Sequence, residues 1–139
     1  MSSMLRMSEA TALGLHAVVR LAEGDERLTV EALAEVLQAS GAHLAKVLQR
    51  LSSAGIVVGT RGPRGGFRLA VDPKDLHLIK VYEALEGPFT TGGCLFDKPV
   101  CERVSCIMGG LIERVDQEIR EYLVGTSVAD LVPSCRREA

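Results

Sequence analysis

The sequence predicts a mainly α-helical fold with a small β-hairpin wing: a winged helix-turn-helix followed by a long C-terminal dimerisation helix. Three observations predict it. Apolar residues recur at helical spacing in three consecutive short segments before residue 54. Two strand-like runs then flank a glycine- and proline-rich turn at Arg61-Gly62-Pro63-Arg64-Gly65-Gly66. Further on, residues 105–123 carry a one-sided apolar pattern with charges opposite, as an amphipathic helix does.

Residues 7–22 form the first predicted helix, with Ser8 as N-cap and Ala12, Leu15, Val18, Val19 and Ala22 as its stripe. A second, short helix covers 29–37, capped by Thr29. Ala39-Ser40-Gly41 is a turn, and a third helix runs from about Ala42 to Ser53 with Leu44, Val47, Leu48 and Leu51 inward. Gly55 fits its C-terminal stop. Residues 56–60 read as a β-branched strand and 67–70 as its return strand. A fourth helix spans 76–85, a cysteine-bearing loop 87–106 and a long helix 105–123, whose apolar face runs Met108, Leu111, Ile112, Val115, Ile119, Tyr122 and Leu123. Asp116 falls among its charged residues. A short helix at 127–131 precedes a tail that holds Cys135. The expected division is a DNA-binding winged helix-turn-helix at 1–75, and at 76–139 a helix, the cysteine loop and the dimerisation helix.

A chain of 139 residues is long enough to bury a core without disulfides. No apolar run reaches the ~20 residues needed to cross a bilayer, and the first residues lack a signal-peptide pattern. A cytoplasmic protein with no membrane partner is expected. The net charge is −2, but it is uneven: residues 1–70 hold eight Lys/Arg against six Asp/Glu, and residues 71–139 hold eight against twelve. Residues 40–70 contain Lys46, Arg50, Arg61, Arg64 and Arg68 and no acid. A local basic patch on an acidic chain points to double-stranded promoter DNA as partner. In a winged helix-turn-helix the third helix enters the major groove. Ser40, His43, Lys46, Gln49 and Arg50 are then left to face outward, with the hydrogen-bonding and cationic chemistry that phosphates and base edges require. Arg61 and Arg64 at the wing tip can reach phosphates or a narrow minor groove. A winged helix used for protein contacts would not need the acid-free stretch.

Cys94, Cys101 and Cys106 are the candidate metal ligands. Three is an odd number for disulfides, and Gly92, Gly93 and Pro99 supply turns that let thiolates converge. Soft thiolates suit iron–sulfur clusters or zinc. The spacing lacks the close Cys-x-x-Cys pairs of structural zinc sites, and the further alternatives are a cluster-free winged-helix regulator sensing through its thiols or a small ligand, and a thiol-redox protein. An enzyme is not expected, because no cysteine–histidine constellation or phosphate-binding glycine loop is present.

The wing Arg61-Gly62-Pro63-Arg64-Gly65-Gly66-Phe67 resembles that of the Rrf-two family of bacterial regulators, which includes IscR-, NsrR- and RirA-type repressors. Residues 13–22 (Leu13-Gly14-Leu15-His16-Ala17-Val18-Val19-Arg20-Leu21-Ala22) and 48–57 (Leu48-Gln49-Arg50-Leu51-Ser52-Ser53-Ala54-Gly55-Ile56-Val57) are similar to its first helix and to the end of its recognition helix. The resemblance implies a homodimeric regulator, usually a repressor, that binds an iron–sulfur cluster through Cys94, Cys101 and Cys106. Its nuclearity, 2Fe–2S or 4Fe–4S, is left open. The signal implied is iron, redox state or nitric oxide. A non-cysteine fourth ligand is implied as well, sometimes from the partner's first helix. A position that is acidic in some relatives is Ala12 here, and His16, one turn on, is the fourth-ligand candidate, ahead of Glu9, Asp97 and Glu102. His43 is expected at DNA, His77 in a structural or solvent role, and Cys135 as a spare thiol.

Overall fold

The structure, a computed structural model, describes residues 7–92, 94–96, 98, 100–102 and 104–132. Helix α1 (Glu9–Ala22) starts after Ser8, whose hydroxyl accepts from the Thr11 amide, so the expected cap is in place. Helix α2 (Val30–Leu37) is capped by Thr29 in the same way and ends at Gln38 in the left-handed conformation. Helix α3 (Gly41–Ser53) buries Leu44, Val47, Leu48 and Leu51, the four residues expected inward. Fully burying a leucine of this kind contributes about 2 kcal/mol.

Strands β1 (Val57–Thr60) and β2 (Gly66–Leu69) pair antiparallel, with Val57 opposite Leu69 and Thr60 opposite Gly66. Leu28 adds a third short rung: its amide and carbonyl both bond to Phe67, at 3.0 and 2.8 Å. That approach requires glycine at 66, where φ is +141° and a Cβ would lie 2.8 Å from the Leu28 carbonyl oxygen. The wing is thereby fixed to the segment leading into α2.

Helix α4 (Leu78–Glu86) begins two residues later than expected. The Leu76 carbonyl instead accepts from Val128, and the Leu78 amide donates to Thr126, so the entrance to α4 is held extended against the start of α6 (Val128–Leu131). A Ser127–Asp130 capping box opens α6. Helix α5 (Leu111–Gly125) also starts later than the expected 105. Gly109 and Gly110 have φ of +59° and +80°, and a left-handed pair cannot continue a right-handed helix. Met108 therefore lies outside the helix, and Cys106 sits in a turn before it. One core unites α1, α3, α4 and α6 with Ile56, Val57, Leu76, Phe89 and Leu123. No helix of the described residues is long and apolar enough to cross a membrane.

Candidate nucleic-acid interface and thiol site

The outer surface of α3 and the wing present the basic residues expected there. Lys46, Gln49, Arg61 and Arg64 are exposed, and His43 is half-buried. A groove of about 710 Å³ lies between the wing and the α2 and α3 helices, lined by Gln49, Ser52, Arg61 and Gly62 with Glu31 as an acidic member. Two of the expected outward residues have additional structural work. The Ser40 hydroxyl caps α3 by accepting from the His43 amide at 3.3 Å. The Arg50 guanidinium turns toward α4 and donates to the Leu85 carbonyl.

The end of α4 gathers several such ties. Glu86 accepts from the Ser8 hydroxyl and amide and from the Thr11 hydroxyl, the last at 2.5 Å. The Ser8 and Thr11 hydroxyl bonds hold the Glu86 carboxyl below the usual glutamate range, helped by the Ser8 amide and the Arg50 charge and opposed by partial burial. Thr11 is itself fully buried, and this bond satisfies it. Sequence reading missed this network, since its partners lie 75 or more positions apart.

The cysteine loop has two parts. Its stem is anchored. The Gly87 amide bonds to the Glu83 carbonyl, the Phe89 amide bonds to the Glu83 carboxylate at 2.9 Å, and the buried Phe89 ring meets Tyr82 edge-on at 5.5 Å. Burial raises the Tyr82 hydroxyl's pKa, and the charges of Glu86, Asp116 and Glu83 raise it further. The Gly92 amide then bonds to Asp116 Oδ2 at 3.2 Å. Asp116 is fully buried, which corrects its expected place on the charged face of the long helix. The inward residues of α5 are Ile112, Asp116, Ile119 and Leu123, a spacing of four, three and four that the sequence does display.

Beyond the stem the loop is open. Cys94 and Cys106 are half-buried, Cys101 is exposed, and all three are free thiols. Cys94 Sγ accepts from the Phe96 amide and Cys106 Sγ from the Met108 amide, both at 3.4 Å. Amide bonds to sulfur of this kind are among the features that set the potential of cluster-bound thiolates. Among the described residues no three His, Cys, Asp or Glu side chains converge as a metal site. The described residues between Cys94 and Cys106 lie in no helix or strand.

His16 is exposed on α1, with Nδ1 2.7 Å from the Ala12 carbonyl oxygen. A carbonyl only accepts, so the neutral ring carries its proton on Nδ1 and leaves the Nε2 lone pair free, the pattern of a metal-binding histidine oriented by a backbone carbonyl. It borders an apolar groove of about 380 Å³ formed by Leu15, Val19, Val36, Leu37, Leu78 and Leu131. Glu9 and Glu102 are exposed. His77 is the half-buried N-cap residue of α4, without a side-chain cap bond. Asp97 and Cys135 lie outside the described residues.

Residues 7–134 match the family described as Rrf2: Iron-dependent Transcriptional regulator. The HTH-type transcriptional repressor NsrR of Streptomyces coelicolor is 30% identical over 131 residues, covering 92% of this chain and 88% of that protein. Among solved structures, CymR, the global cysteine regulator of B. subtilis, is similar with a TM-score of 0.79 at 25% identity, over 95% of this chain and 99% of that one. IscR of T. potens gives a TM-score of 0.74 at 26% identity, over 97% and 93% of the two chains. A winged helix-turn-helix with a basic outer face, matched over nearly its whole length, makes this chain a member of the Rrf2 family of DNA-binding transcriptional regulators.

Proposed function

We propose that this protein is a homodimeric repressor of transcription that senses iron, redox state or nitric oxide through an iron–sulfur cluster held by Cys94, Cys101 and Cys106. The observation that carries the reading is a loop bearing three free thiols, rooted in α4 and α5, in a chain whose other half is a DNA-reading head. The donor chemistry fits the group: soft sulfur ligands on irregular backbone, two of them already accepting amide hydrogen bonds. When bound, a cluster supplies metal–sulfur bonds that respond to oxidants, nitric oxide and iron supply.

In this reading residues 1–75 read DNA, and residues 76–139 sense and pair. The α3 helix enters the major groove with Lys46, Gln49 and His43 toward the bases and phosphates, while Arg61 and Arg64 grip the flanking backbone. Ser40 orients α3 by capping it. Pairing uses the outer apolar stripe of α5, where Leu111 and Tyr122 are exposed and Val115 is half-buried. A two-fold pairing through this helix sets the spacing of the two reading heads. His16 offers Nε2 as the fourth ligand. A change in the thiols moves the loop, and the loop's stem passes the change to α4 and α5.

A second reading is a cluster-free regulator that senses through the thiols themselves. It is favoured by the exposure of Cys101 as a free thiol. The deciding experiment is anaerobic purification, iron and sulfide assay and a visible spectrum, then gel shift before and after cluster removal. Iron, sulfide and a visible chromophore that Cys101→Ala abolishes support the cluster. Colourless, iron-free protein whose DNA binding responds to peroxide and reverses with dithiothreitol supports the thiol reading.

A further inference from the structure

Asp116 breaks the pattern of the helix that carries it. Its neighbours on the inward face of α5 are Ile112, Ile119 and Leu123, and a leucine or isoleucine is the residue type that this position calls for. Instead there is a carboxylate with no exposure to solvent. Oδ2 accepts a hydrogen bond from the Gly92 amide, and Oδ1 has no partner among the described residues. Burying a carboxylate with half its acceptors unmet costs stability. Natural sequences break local rules in this way chiefly where function requires it.

The bond from the Gly92 amide to Asp116 identifies the requirement. Gly92 stands two positions before Cys94 and closes the stem of the cysteine loop; beyond it the chain bears the thiols. We propose that Asp116 is the positioning residue of the thiol site: its buried carboxylate fixes the loop entrance at Gly92 to α5, so that the placement of Cys94 and the placement of the pairing helix change together. This rests on the reading of the loop as the sensing element, but not on which sensing chemistry it uses. An apolar residue at 116 would pack with Ile112 and Ile119 yet leave the Gly92 amide without an acceptor. Asparagine would keep an acceptor oxygen for that amide.

The test uses the full chain, reduced and stripped of metal with a chelator, as wild type, Asp116→Leu and Asp116→Asn. Iodoacetamide alkylation of Cys94 is followed by mass spectrometry, with the exposed Cys101 as internal reference, beside thermal melts. Asp116→Leu is expected to keep or raise Tm while the Cys94-to-Cys101 rate ratio changes about threefold or more, as a loop freed from its anchor opens locally. Asp116→Asn is expected to hold the ratio near wild type. The proposal is overturned if Asp116→Leu leaves the ratio unchanged. It is equally overturned if both variants change the ratio alike, which would mark the residue as ordinary packing. Should Asp116→Leu fail to fold, an altered ratio in Asp116→Asn overturns the proposal, and a wild-type ratio together with a slowly exchanging Gly92 amide in both Asp116→Asn and wild type upholds it. A failure of the cluster reading shows separately, as colourless anaerobic wild type, and leaves these metal-free rates untouched.

Discussion

Arg50 Nη2 donates to the carbonyl oxygen of Leu85, joining the outer side of helix α3 to the last turn of α4. The carbonyls of a last helical turn have no partner within their own helix, and an arginine is a strong donor to them. Two residues after Leu85 the chain leaves α4 at Gly87 and enters the stem of the cysteine loop. Helix α3 and the root of the thiol loop therefore share a side chain.

That contact separates Arg50 from its neighbours in a binding experiment. Arg50→Ala is expected to cost about 1 kcal/mol of stability, the worth of one hydrogen bond, and to leave the salt dependence of DNA binding unchanged. Lys46→Ala, at an exposed position on the same helix, is expected to leave stability within about 0.5 kcal/mol and to reduce the slope of log K against log salt by about 1. Thermal melts and salt-titrated anisotropy with a promoter fragment measure both. A reduced slope in Arg50→Ala with unchanged Tm would assign Arg50 to a phosphate instead.

Glu86 makes stability depend on pH in a defined direction. Its folded-state pKa is lowered, first by the Ser8 and Thr11 hydroxyl bonds. The unfolded state, with an ordinary glutamate pKa of about 4.3, therefore takes up its proton first as pH falls. The contribution is complete above that value and is lost as pH drops through the lower folded-state pKa. Chemical denaturation of wild type and Glu86→Gln is expected to show a gap at pH 7 that narrows below about pH 4. A gap that is constant from pH 7 to pH 3 counts against the linkage.

The outer stripe of α5 gives a test of pairing. Leu111 and Tyr122 are exposed hydrophobic residues on one side of the helix. Leu111→Glu and Tyr122→Glu are each expected to weaken the dimer tenfold or more, about 1.4 kcal/mol, while the monomer keeps its helical content. Sedimentation equilibrium with circular dichroism reads both. Unchanged dimers in the double variant would move the pairing surface elsewhere.

His16 is exposed, and its Nδ1 lies 2.7 Å from the Ala12 carbonyl oxygen of its own helix. His16→Ala is expected to change stability by no more than about 0.5 kcal/mol and to alter the visible spectrum of anaerobically purified protein, with faster loss of colour in air. An unaltered spectrum removes His16 from the ligand set.

Much of this was open to reading from the chain alone because the governing interactions are local. Ser8 and Thr29 are recognisable caps, each bonding to an amide three residues on. The inward quartet of α3 follows from helical spacing, and the wing from strand-forming runs about a glycine-rich turn. The three thiols are visible as a group because they are close in sequence. The long helix was read less well. Its apolar residues form two adjacent stripes, Leu111, Val115 and Tyr122 beside Ile112, Ile119 and Leu123, about 80° apart on the helix. In sequence they merge into one face, and the left-handed glycine pair delays the start to Leu111.

The sequence by itself determined the order of elements, their caps, the basic face of α3 and the wing, and the thiol loop, since each depends on neighbours within a few residues. Tertiary structure alone decided which stripe of α5 turns inward, and with it the burial of Asp116 beneath Gly92. It alone decided that Arg50 reaches Leu85 and that Glu86 holds the start of α1. These contacts join positions 24 to 78 residues apart, and only the packing of α1, α3 and α5 around α4 brings their atoms within hydrogen-bond distance.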